Sequence, residues 1–288
     1  MATLFMAPSE ERQIMTQDPP KAKAAADRTS DMSFLEHLEE LRWRLIKGLG
    51  GLAAGMIIAV FFSDFLVNKV MLGPTRADFI VYQILGIDAI DLTLQSRKLP
   101  GQFFTYWGTL ILMGSIIGSP VLFYQLWAFV EPALESAEKW KSRLHSLFIT
   151  SFFIAGVCFG YFVLVPFALQ FFSQFQISDV IHNDFDINEY FSSLSMWVIS
   201  CGIIFQLPVV SYFLSKFGLL SPEFLRKYRR HSIVACFIMS AFLTPPDPVS
   251  QVIVGVPLIL LYQLSIWVSK KGVQHREKEL QRALSGSN

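Results

Sequence analysis

The side chains best suited to chemistry in this chain are acids, gathered in two short stretches rather than in nucleophile–base sets. One stretch is His37-Leu38-Glu39-Glu40-Leu41-Arg42-Trp43-Arg44-Leu45. The other runs from Tyr124 to Glu138, where Glu131, Glu135 and Glu138 recur at three to four residues. That spacing puts the three carboxylates on one face of a helix. The face reads either as an ordinary solvated surface or as an acidic patch that receives a basic ligand. Glu40 reads likewise as an i,i+4 partner of Arg44, worth ~0.3–0.5 kcal/mol when exposed, or as part of such an acceptor.

Enzymatic signatures are missing. There is no His-Glu-x-x-His, Gly-x-Ser-x-Gly, Walker glycine loop or Cys-x-x-Cys, so no catalytic centre, metal site or cofactor is expected. Cys158, Cys201 and Cys236 each lie inside an apolar block and read as small packing residues. The same blocks hold no Asp, Glu, Lys or Arg near their centres, where ion-coupled transporters need them. The nearest candidate is Gln206, two residues before Pro208. It reads as a hydrogen-bonding contact to a neighbouring helix or as a functional group at depth.

The elements that position these groups follow from composition. The chain is 52% hydrophobic and 16% charged, against about a quarter charged in a soluble domain. Its net charge of +1 implies no nucleic-acid partner. A run of ~20 uncharged residues, rising ~1.5 Å each, crosses a ~30 Å hydrocarbon core as a helix. Six spans are predicted, at about 45–66, 103–130, 144–173, 190–215, 231–244 and 249–269. The fold class is an all-α membrane protein. Pro120, Pro166, Pro208 and Pro257 lie inside the blocks, and kinks there predict a curved bundle.

The fifth span is the short one. Its twelve apolar residues, Ser232 to Leu243, give only ~18 Å of helix. Either the helix extends back through the basic stretch Arg226 to Arg230 with snorkelling side chains, or the bilayer thins beside it. Three prolines in Thr244-Pro245-Pro246-Asp247-Pro248 forbid continued helix and predict a tight turn.

Basic residues set the orientation. With the N-terminus inside, the inner segments hold Arg42, Arg44 and Lys47, then Lys139, Lys141 and Arg143, then Arg226 to Arg230 and the Lys270 to Arg282 tail. The outer loops hold only Lys69, Arg76, Arg97 and Lys98, and the loop from Ser173 to Glu189 is purely acidic. Both termini are therefore expected in the cytoplasm. Residues 1–32 are polar and lack the apolar core of a cleavable signal, so they read as a disordered tail. Residues 33–269 form the membrane domain, and 270–288 a polar cytoplasmic tail. Ser33-Phe34-Leu35-Glu36 is a capping-box pattern. It predicts an amphipathic helix on the membrane surface, with Phe34, Leu38, Leu41 and Leu45 as its apolar face, leading into the first span.

Four segments carry a resemblance: the His37 to Leu45 stretch, Tyr124 to Leu134, Tyr161-Phe162-Val163-Leu164-Val165-Pro166, and Leu243 through Gln251. In order, spacing and span count, the chain from about Ser33 to Ser269 resembles the C-subunit family of the twin-arginine translocase. The resemblance implies the signal-peptide-binding core subunit of a bacterial inner-membrane translocase. Such a subunit exports folded proteins bearing Arg-Arg signal peptides, driven by the proton-motive force. Implied partners are the signal peptides, A-type and B-type subunits, membrane lipid and further copies within a multisubunit complex.

On matching positions, the resemblance makes Glu40 and Glu138 the acceptors of the signal arginines, with Arg42, Phe129 and Leu134 nearby. Thr244, Gln251 and Gln206 fall in its partner-subunit contact region, and Pro74 and Asp247 at structurally or functionally important loop positions. A guanidinium offers a planar fork that a carboxylate accepts through two parallel bonds, so two arginines suit two acids. Three departures stand out: Gln206 where many members have Glu, Glu131 where an uncharged residue is usual, and a longer first outer loop. That loop's Phe79 to Leu94 stretch is expected to hold a short amphipathic helix. Two rival functions remain open to the residues alone, a small-solute secondary transporter and a membrane scaffold subunit.

Overall fold

The computed structural model describes residues 20–130, 139–178, 183–244 and 248–285. Its first helix, α1, spans Pro20–Phe61 without interruption. The helix therefore does not open at Ser33, and no break in it separates the Ser33 stretch from the first span. The reason is local. Between Pro20, whose ring suits a first helical position, and Gly48 there is no glycine or further proline, and Ala22, Ala24, Ala25 and Ala26 favour helix. The end of the segment read as a tail is thus helical.

After α1 come a short helical turn α2 (Ser63–Phe65), a π-helix at Leu66–Met71, a 3-10 turn at Gly73–Thr75, and α3 (Ile80–Leu85). The last of these is a short helix within the stretch expected to hold one. It stops at Gly86, whose φ of 65° is the left-handed conformation that ends helices. The strand β1 (Leu94–Gln95) precedes α4 (Gly101–Val130). Next are α5 (Lys139–Phe159), a π-helical stretch at Gly160–Leu164 and α6 (Val165–Gln174), then β2 (Phe185–Asp186). The remaining helices are α7 (Ile187–Ile204), α8 (Leu207–Lys216), α9 (Pro222–Lys227), α10 (Arg229–Leu243) and α11 (Pro248–Ser285). The last helix continues through most of the segment read as a polar tail.

Among the described residues, five helices are long and apolar enough to cross a membrane: 38–61, 101–129, 145–174, 187–216 and 251–278. The stretch expected as the fifth crossing is α10, with 15 residues, or ~22 Å of helix. Of the two readings of its length, the backward extension stops at Arg229, because Tyr228 leaves helical geometry between α9 and α10. Forward, Thr244 is extended (φ −108°, ψ 155°), as the residue before a proline prefers to be.

The four prolines divide into two kinds. Ahead of Pro166 the hydrogen-bond ladder widens to π over Gly160–Leu164, and Pro208 follows a break at Phe205 and Gln206. Helices α4 and α11 run unbroken through Pro120 and Pro257.

The loop before α4 and the loop before α7 are clasped together. Parallel pairing joins Leu94 to Phe185 and Gln95 to Asp186, and Arg97 forms an exposed ion pair with Asp184 at 3.5 Å. Asp186 caps α7 by accepting from the Asn188 and Glu189 amides, and it also accepts from the Arg97 amide at 3.2 Å. Partial desolvation opposes ionisation of Asp186, but the bonds from the Asn188 side chain and these three amides outweigh it and hold its carboxyl below the ordinary value. The cap is accordingly intact above the ordinary carboxylate range and is released only as pH falls through that lowered value.

Candidate functional site

The rim acids depend on how α1 lies against α4. The two helices run antiparallel and approach until backbones touch. A Cβ placed on Gly118 lies 2.6 Å from the Gly51 carbonyl and 2.7 Å from Leu52 Cα, and one on Gly114 lies 2.5 Å from Met56 Cα. A Cβ on Gly55 collides with the Gly114 carbonyl. Gly51 and Gly55, and Gly114 and Gly118, are two Gly-x-x-x-Gly pairs meeting face to face. Their small surfaces let van der Waals packing hold two apolar helices where lipid offers no hydrophobic drive. Gly48 faces Leu122 and Gln125, so the antiparallel course carries Arg44 and then Glu40 toward the Phe129 end of α4.

At that end Glu40 is already engaged. Its Oε1 accepts from Arg44 Nε at 2.8 Å and from Arg44 Nη2. The side chains are 37% and 25% exposed respectively, which makes this a surface pair of small energy. Beside it in the same stretch of α1, Arg42 pairs with Glu39 at 3.3 Å and lies over the Trp43 ring at 5.6 Å. Phe129 is half-buried. Its neighbour Trp127 is buried, stacked on His145 at 4.9 Å and against Phe213 at 4.6 Å. The end of α4 is thereby fixed to α5 and α8. Glu131, Leu134, Glu135 and Glu138 lie outside the described residues, as does Asp247.

Gln206 sits at the break between α7 and α8 and donates its amide to the Ile149 carbonyl of α5 at 3.2 Å. That is the helix-to-helix contact among the two readings above. Thr244 is buried and donates to the Ser240 carbonyl at 2.8 Å. Gln251 donates to Phe237 O at 3.3 Å, and its own carbonyl accepts from Ser240 Oγ at 2.7 Å. Gln251 thus ties α11 to α10, while Thr244 closes the end of α10. Gln251 also borders an apolar groove with Val234, Phe237 and Phe242.

Pro74 is buried in the 3-10 turn, and its carbonyl accepts the Tyr82 hydroxyl. Two more tyrosines reach the same loop: Tyr161 donates to Val70 O, and Tyr190 to Met71 O at 2.7 Å. Burial pushes the Tyr82 phenol up to about 12, so it stays a neutral donor. The three hydroxyls add side-chain donors to carbonyls around the π and 3-10 turns. Tyr190→Phe keeps the ring and orphans the Met71 carbonyl, a loss of about 1–3 kcal/mol. A lowered melting temperature of the purified chain is the expected result, and an unchanged one would contradict this role.

Neither the glycine pairs nor the tyrosine trio stands among the expected site residues. The four-residue glycine spacing is visible in the sequence. Tyr161 and Tyr190 lie 91 and 119 residues from the carbonyls they reach, and give no comparable signal.

Comparison with known proteins agrees with this arrangement. The family described as Sec-independent protein translocase protein (TatC) matches residues 36–257. A Sec-independent protein translocase protein TatC from Blattabacterium is 37% identical over 254 residues, covering 83% of this chain and 96% of its own length. The homologue from Halalkalibacterium halodurans is also 37% identical, covering 86% and 94%. A crystal structure of the twin-arginine translocase receptor TatC superposes with a TM-score of 0.64 at 32% identity, over 82% of this chain and 99% of that one. The chain belongs to the TatC family of Sec-independent protein translocase proteins and is a membrane-embedded translocase subunit rather than an enzyme.

Proposed function

We propose that the chain is the signal-peptide receptor of a twin-arginine translocase, spanning the bacterial inner membrane six times with both termini in the cytoplasm. It recognises the Arg-Arg pair of exported folded proteins at its cytoplasmic rim, with Glu40 and Glu138 as the acceptors. Arg42, Phe129 and Leu134 border them. B-type and A-type subunits join it through the region of Thr244, Gln251 and Gln206, with Pro74 and Asp247 shaping the loops behind. The proton-motive force drives transport.

The observation that carries this reading is the state of Glu40. Its carboxylate already accepts an arginine side chain through Nε and Nη2, so its geometry suits a guanidinium. Its partner Arg44 is held only by a surface-type pair, cheap to exchange for a ligand arginine. A solute transporter instead needs polar groups converging at mid-span, and the Gln206 amide is taken up by a neighbouring helix.

Site-specific crosslinking from positions 129 and 138 to a twin-arginine signal peptide tests the proposal. Strong adducts are expected with Arg-Arg. They should fall with Lys-Lys by more than charge counting predicts, because lysine lacks the planar fork. Equal adducts with Arg-Arg, Lys-Lys and Gln-Gln peptides would refute recognition by this rim.

A further inference from the structure

At the junction of α9, α10 and α11 lies a cavity of about 520 Å³ whose charged walls are all basic: Arg226, Arg229 and Lys270, with Gln263, Ile266 and Trp267 completing it. Two adjacent residues of α11 build it. Tyr262 donates to the Leu225 carbonyl at 2.6 Å, fixing the residue before Arg226. With its amide oxygen turned toward Arg229, Gln263 accepts from Arg229 Nε at 3.2 Å and Nη2 at 2.7 Å. Gln263, Trp267 and Lys270 share one face of α11 by spacing.

Among the described residues none of the three cations forms an ion pair with a carboxylate, although Glu223 stands in the first turn of α9. Three cations with no described carboxylate partner, held in one pocket, call for an anion. Trp267 identifies the depth. It is 56% exposed, and Lys271 lies 3.7 Å over its ring, an amphipathic pairing typical of the headgroup zone. On its other side Trp267 borders a second cavity of about 540 Å³, largely apolar, with Leu147, Phe148, Val209 and Phe213 in its walls. One indole thus separates a basic pocket from an apolar groove, the polarity of a lipid.

We propose that this junction is a binding site for an anionic phospholipid, its phosphate held by Arg226, Arg229 and Lys270 and one acyl chain lying in the groove beyond Trp267. Basic pockets between membrane helices recognise such headgroups through charge and hydrogen bonding together. The site would anchor the short α10, whose first residues supply part of it, at the membrane surface.

The test uses the full chain purified in uncharged detergent, with bound lipid measured by native mass spectrometry during titration with phosphatidylglycerol or phosphatidylcholine. Saturable retention of phosphatidylglycerol over phosphatidylcholine is expected. It should weaken roughly tenfold or more in an Arg226→Gln, Arg229→Gln, Lys270→Gln chain. A Lys227→Gln, Arg230→Gln chain, which removes neighbouring charge outside the pocket, is expected to retain the lipid. Equal loss in both variants, or no preference in the parent, would overturn the site in favour of general surface attraction. Displacement of the lipid by millimolar inorganic phosphate would overturn the lipid assignment in favour of a free-anion site. Should the triple variant fail to fold, Arg226→Gln alone is read by the same titration, and an affinity equal to the parent's counts against the proposal. None of these readouts involves signal peptides or export, so the outcome is separate from that of the receptor proposal.

Discussion

A chain carrying Glu40→Gln and Glu138→Gln is expected to insert and fold normally and to lose binding of Arg-Arg signal peptides. Glutamine keeps the shape and one acceptor oxygen but removes the charge that makes the arginine bond strong. A charge-assisted hydrogen bond contributes ~1.5–3 kcal/mol. Glu40 is 37% exposed, so the lower end applies, about tenfold in affinity for each acid and about a hundredfold for both. The informative contrast is Arg44→Gln. It releases the internal guanidinium from Glu40 Oε1, but that pair is worth only ~0.3–0.5 kcal/mol. Signal affinity should therefore change about twofold or less. Titration of the purified chains with a labelled twin-arginine peptide measures all three variants. Undiminished binding to the double variant would remove both acids from the recognition scheme.

The second large effect is expected at the glycine contact. In Gly118→Leu the new side chain starts 2.6 Å from the Gly51 carbonyl and 2.7 Å from Leu52 Cα. Both are backbone atoms of α1, so no rotamer relieves the clash and the helix must move away. Overpacking costs typically 1–3 kcal/mol where side chains yield, and here they cannot. Helix α1 has little else to hold it, because only 17% of its membrane window is buried within the protein. Loss of the α1–α4 contact also uncouples Glu40 from the end of α4. Gly108→Leu, on the same helix, is the control, since a Cβ there meets nothing within 4 Å. Limited proteolysis and thermal melts should show a released α1 in Gly118→Leu and a parent-like Gly108→Leu. Matching behaviour of the two variants would show that the close approach is not needed.

The chain's class was legible in its sequence because the length of an uncharged apolar block is a one-dimensional property. The long blocks, the basic stretches between them, the helix-ending prolines after Thr244 and the acids near Glu40 and Glu138 are all local features. So is the four-residue spacing of Gly51 and Gly55, and of Gly114 and Gly118. Where Ser33 suggested a helix start, the helix begins at Pro20 and the capping pattern lies inside it.

The tertiary structure decided what depends on residues remote in sequence. It paired β1 with β2 and set Arg97 against Asp184 across two loops remote in sequence. It also brought Tyr161 and Tyr190 onto carbonyls of the first loop. The Gln206 amide was set against the Ile149 carbonyl of a neighbouring helix, and Arg226, Arg229 and Lys270 were gathered around one cavity. None of these follows from periodicity, because periodicity fixes which face of a helix a residue occupies but not which helix that face meets. In a membrane, where all helices are apolar, the choice falls to close packing at glycines and to a few polar bonds, and both exist only once the bundle has closed.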